Sequence, residues 1–118
     1  MDQLIYSATR IYKTGNHSPV FLNVTVGDGQ VGGSSIIFDD REIATGNINN
    51  YPIGKPGDDI RYKILRCNTT VKDINPDTNK TIVTCSFIGG ASDEDFIFDT
   101  EVKENGGEVL YSLTFTFI

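Results

Sequence analysis

Tryptophan is absent from this 118-residue chain, histidine and methionine occur once each, and cysteine occurs twice. Two cysteines rule out a disulfide framework. One histidine and two separated cysteines cannot supply the usual ligand count of a zinc site by themselves. His17, in the loop sequence Gly15-Asn16-His17-Ser18-Pro19, has no Gly-x-Ser-x-Gly partner motif, so no catalytic triad is legible. No apolar run approaches the ~18 residues that a membrane-spanning helix needs, so membrane insertion is not expected. Basic residues are outnumbered by acidic ones, 10 against 16, for a formal charge of −6. That balance argues against general nucleic-acid binding. The charge is still modest and β-branched and aromatic residues are plentiful, which argues against disorder.

A signal peptide is also missing from Met1-Asp2-Gln3-Leu4-Ile5-Tyr6, which has neither a basic region nor a long apolar core. The expectation is a cytoplasmic protein or one exported without a leader. A mature secreted chain carrying an added initiator Met is the alternative. The Gly27-Asp28-Gly29-Gln30-Val31-Gly32-Gly33-Ser34-Ser35 stretch lacks the Lys-Ser/Thr ending of a phosphate loop and has no helix after it; it reads as a β-turn. Asn-x-Ser/Thr triplets at Asn16, Asn23, Asn68 and Asn79 read as strand and turn composition.

What is present is alternation with a period of two. From Val109 to Phe117 the odd positions are Val, Tyr, Leu, Phe and Phe, and hydroxyl side chains fill the even positions from Ser112 to Thr116. This describes a strand with one buried face. Burying the five apolar side chains stabilises the fold by roughly 1.5–3 kcal/mol each before entropy is counted. Pro19 to Val26 alternates too, and Leu4–Tyr12, Ser34–Phe38, Arg41–Thr45 and Asp95–Lys103 read as further strands. Glycine, Asn and Asp break the chain at short intervals, and helical periodicity is missing. Residues 59–74 read as one long strand whose alternation shifts phase at Ile64-Leu65, as at a bulge or a passage between sheets. Asn75-Pro76-Asp77-Thr78-Asn79 then suits a hairpin loop into Lys80–Ile88. That hairpin would form the middle of the domain and place Cys67 and Cys85 on paired strands, as two small buried thiols or, less favoured, a cross-strand disulfide. The expected fold is a single all-β domain over residues 1–118. It is a two-sheet antiparallel β-sandwich of about eight strands, of Greek-key or jelly-roll type.

Three constellations carry the functional expectations. The long segment Gly46–Asp59, rich in Asn, Gly and Pro, is unusual for a compact domain unless it has a role. Asn49, Asn50, Tyr51 and Ile53 are its candidate ligand or partner contacts. Its deletion from Asn47 to Gly54 is expected to abolish association with little effect on melting. Asp93, Glu94 and Asp95 form an acidic turn that makes calcium the one candidate cofactor, since calcium takes six to eight oxygens from loops. Tyr51 in an Asn-rich loop also allows a carbohydrate-binding module. The primary expectation is non-enzymatic: an interaction module working by protein–protein contact, with a partner or with itself in a homo-oligomer, because both terminal segments read as strands and an exposed strand edge accepts another strand.

Overall fold

Alternating side chains and turn-forming residues divide the chain into nine strands, with no helix among the described residues. The computed structural model describes residues 4–118, so Met1-Asp2-Gln3 lies outside the described residues. The strands are β1 (Leu4–Tyr12), β2 (Val20–Val26), β3 (Val31–Phe38), β4 (Arg41–Gly46), β5 (Tyr51–Ile53), β6 (Ile64–Lys72), β7 (Lys80–Ile88), β8 (Glu94–Glu101) and β9 (Glu108–Phe117). They form two packed sheets, a five-stranded one in the order β1-β9-β6-β3-β4 and a four-stranded one in the order β5-β2-β7-β8.

The strongest sequence pattern sits in the centre of the packing. Val109, Tyr111, Leu113, Phe115 and Phe117 of β9 are each fully buried. From the other sheet Leu22, Val83, Cys85, Phe87 and Phe98 meet them. Phe115 lies edge-on to Phe87, Phe96 and Phe98, with centroids 4.9 to 6.2 Å apart. Buried hydroxyl groups in the core are paired. The Tyr111 hydroxyl donates to the Thr81 carbonyl at 3.1 Å and lies 2.6 Å from the Thr81 hydroxyl. Ser34 and Thr69 share a hydroxyl hydrogen bond of 2.7 Å.

Three expectations are corrected. The five-stranded sheet is mixed, because β1 runs parallel to β9 over nine register pairs, from Leu4 opposite Val109 to Tyr12 opposite Phe117. Chain ends can pair this way because the whole fold serves as the crossover between them. Strands β6 and β7 are not a hairpin: β6 lies between β9 and β3, and β7 between β2 and β8. Alternation reports which face of a strand is buried, and both faces of the core look alike in it. Cys67 and Cys85 therefore meet across the sandwich, with free sulfurs 4.0 Å apart. The phase shift at Ile64-Leu65 is a strand start: buried Ile60 belongs to the turn before β6, where Tyr62 has a φ of +68°. The bulge lies elsewhere, between Ile36 and Ile37 on the β3–β4 pair.

Tyr12 ends β1 inside the core. Its ring stacks on Phe87 at 4.7 Å, and its hydroxyl donates to the Ser92 carbonyl at 2.8 Å and accepts from the Gly90 N–H at 3.1 Å. A Cβ at Gly90 would lie 2.5 Å from that hydroxyl, so only glycine fits there. Burial pushes the Tyr12 and Tyr111 phenols above the usual tyrosine value of 10.0. Unfolded phenols ionise first, so this contribution to stability is intact below pH 10.0 and is lost as pH rises through and beyond it. In an alkaline titration of phenolate absorbance, Tyr12 and Tyr111 should ionise late, together with unfolding. Simultaneous ionisation of all 5 tyrosines near the ordinary value would contradict this.

Candidate interaction edge

The residues singled out from sequence fall in three separate places. Asp93, Glu94 and Asp95 are exposed on the β7–β8 turn and the start of β8. Asp93 serves the turn, its Oδ1 accepting the Gly89 N–H at 3.0 Å. Glu94 and Asp95 follow in an extended strand and so point to opposite faces. Among the described residues no group of three or more His, Cys, Asp or Glu is arranged to hold a metal ion.

The Gly46–Asp59 segment is built into the sandwich. Ile53 is fully buried and Ile48 is 2% exposed. The Val24 N–H donates to the Ile48 carbonyl at 3.0 Å, and β5 pairs with β2 through Val20–Ile53 and Leu22–Tyr51. Ile53 is therefore a core residue, and removing Asn47 to Gly54 would take away an edge strand and two core side chains. The expectation that such a deletion spares the fold is overturned. Asn49 and Asn50 are exposed, with the Asn50 N–H held by Asn23 Oδ1 at 2.7 Å. Tyr51 is half-buried, donates its hydroxyl to the Ile43 carbonyl at 2.7 Å, and lines a cleft of about 470 Å³ with Phe38, Asp39, Arg41, Ile43 and Lys55. The strongly shifted acid Asp59, near 2, owes its shift to hydrogen bonds from Arg61 in an exposed surface pair. His17 is exposed in its loop.

Of the two terminal strands read as pairing surfaces from sequence, β9 is interior and β1 is an edge, and the strand edges differ sharply in protection. Edge strands invite pairing unless they are short, charged or interrupted. Strand β5 is three residues long and contains Pro52. Strand β4 pairs through a bulge and opens with Arg41 and Glu42. Strand β8 carries four carboxylates, Glu94, Asp95, Asp99 and Glu101, around an exposed Ile97. Strand β1 has none of these devices. It is nine residues long, about 30 Å at ~3.3 Å per residue, and Arg10 is its one charge. The Arg10 guanidinium is drawn over the Phe98 ring, 5.2 Å from its centroid.

The outward face of β1 reads Ile5, Ser7, Thr9, Ile11, and both isoleucines are exposed, at 61% and 59%. Ile5 lies beside Leu110 in the β9 register; Ile11 lies beside Thr116, which in turn lies beside the exposed Ile64 of β6. This outward pattern is symmetric about Ala8: isoleucine at each end and a hydroxyl side chain on each inner position. The signal was present in the sequence as Ile5-x-Ser7-x-Thr9-x-Ile11, but only the parallel pairing with β9 shows that, among the described residues, one edge of the strand stays open.

The remaining reactive groups are closed off. Cys67 and Cys85 are both fully buried, and hydrogen bonding to Cys67 together with burial pushes the Cys85 thiol up. A nucleophilic thiolate needs exposure and a lowered value. A disulfide-exchange thiol reagent should therefore leave the native chain unmodified and label 2 thiols per chain after denaturation; rapid labelling of native protein would contradict the buried placement. Comparison with family models, curated proteins and solved structures returned no match for this chain.

Proposed function

We propose that this protein is a non-enzymatic interaction module that pairs with a second copy of itself through the open edge of β1. The observation that carries this is the symmetry of the unprotected edge. When two β1 strands pair antiparallel about a twofold axis at Ala8, Ile5 of each copy faces Ile11 of the other, and Ser7 faces Thr9. Such self-complementarity is what an isologous contact requires. Each cross-strand aliphatic pair contributes about 0.2–1 kcal/mol beyond the main-chain hydrogen bonds. The two five-stranded sheets become one continuous ten-stranded sheet. The acidic β8 strands repel one another, which confines the pairing to β1.

Light scattering on size-exclusion fractions should show the mass rising with concentration from 13.0 kDa to twice that value and stopping there. The variant I5K/I11K places lysine against lysine at both ends and should remain monomeric with an unchanged melting temperature. The variant I5K/I11E places lysine against glutamate at both ends and should still dimerise. A monomer at every concentration, a mass that grows past two copies, or equal behaviour of the two variants would contradict this edge and this register.

A further inference from the structure

Buried polar atoms in a folded protein have partners, and those without one point to a missing interaction. Asp73, just after β6, is 3% exposed, and neither of its carboxyl oxygens has a hydrogen-bond partner. A third buried oxygen without a partner, Asn79 Oδ1, lies at the other end of the same loop. These three are the buried side-chain nitrogen and oxygen atoms left unpaired among the described residues. Both residues lie against the β8–β9 turn: the Asp73 N–H donates to the Gly107 carbonyl at 2.9 Å, and the Val102 N–H donates to the Asn79 carbonyl at 2.9 Å.

The loop that presents these oxygens is held in shape by one side chain. Gln30, 7% exposed, accepts the Ile74 and Asn75 N–H groups at 2.7 and 2.9 Å on Oε1. Its Nε2 donates to the Thr78 and Lys80 carbonyls at 3.2 and 3.1 Å. All four bonds flank Asp73 and Asn79, so a single amide draws the two ends of the loop together. The Asn75 side chain adds a turn bond to the Asp77 N–H at 3.0 Å and a tie to the Asp28 carbonyl at 2.9 Å. The main chain that carries the unpaired oxygens is therefore held in shape without any ligand.

We infer that Asp73 and Asn79 hold a hard divalent cation of the calcium class between the β6–β7 loop and the β8–β9 turn. Oxygen-only donors select calcium or magnesium over softer metals, and an irregular loop suits the adaptable geometry of calcium. A carboxyl and an amide oxygen give a low charge count, and main-chain carbonyls and water complete the shell. Such a site binds at about 10⁻⁴–10⁻³ M. The site is separate from Asp93, Glu94 and Asp95, which belong to the β7–β8 turn. It is also independent of pairing through β1.

The test is the melting temperature of the full chain in chelator and in calcium chloride, at ionic strength matched with potassium chloride. Calcium at roughly ten times its Kd should raise the melting temperature by about 5 °C. The rise should vanish in Asp73→Asn and shrink in Asn79→Ala, and it should persist in the triple variant D93N/E94Q/D95N. Titration calorimetry of the native chain should give one calcium per chain. No calcium response in the native protein would overturn the inference. A response that survives both Asp73→Asn and Asn79→Ala, or that is lost in the triple variant, would overturn it equally. Should Asp73→Asn fail to fold, Asn79→Ala and the calorimetry decide the matter.

Discussion

The parallel ladder between β1 and β9 is the interaction on which the rest depends. Nine register pairs tie the start of the described chain to its end. Without that ladder β9, which supplies five fully buried side chains, would be an open edge along its whole length. The ladder also carries Tyr12 into the core, where its ring stacks on Phe87 and its hydroxyl holds the β7–β8 turn. In covering β9, β1 becomes the edge itself. The vulnerability of a free edge is moved to a strand whose outward face is apolar, nearly uncharged and self-complementary.

Charge divides the two sheets at that side of the molecule. Strand β1 carries one charge, whereas β8, the corresponding edge of the other sheet, carries four carboxylates. Four carboxylates protect the β8 edge, and the contrast leaves β1 as the least protected edge among the described residues. Between the sheets, Tyr111 with Thr81 and Ser34 with Thr69 bury hydroxyls at little cost, because each finds a partner. Asp73 and Asn79 are the exceptions to that economy. Their unpaired oxygens stand out because the other buried side-chain nitrogen and oxygen atoms among the described residues have partners.

Much of the fold was legible in the residues themselves. The alternation of β9 identified the most deeply buried strand, and the strands Leu4–Tyr12 and Lys80–Ile88 appear with the boundaries the pattern suggested. Which strand neighbours which was not legible. Apolar alternation in β6 and β7 is satisfied equally well by pairing in one sheet or by packing across two, and the structure takes the second course. The Gly46–Asp59 segment misled for a related reason. Its Asn, Gly and Pro residues signal turns, but Ile48 and Ile53 at the right spacing bury against β2 and turn an apparent loop into part of the wall. Exposed acids at Asp93–Asp95 drew attention by their density. Asp73 continues the buried odd positions Leu65, Cys67, Thr69 and Val71 just past the end of β6, but a lone acid at an inward position reads in sequence as an ordinary turn residue.

Amide hydrogen exchange along β1, followed residue by residue at low and high protein concentration, tests the central claim most directly. In an antiparallel β1–β1 pair, the alternate amides that point away from β9 gain main-chain partners. Those amides should exchange fast in dilute solution and become protected as concentration rises, while the amides of β4, β5 and β8 that face open edges stay fast. Protection that appears on β8 or β4 instead, or β1 amides that exchange at the same rate at every concentration, would contradict the account.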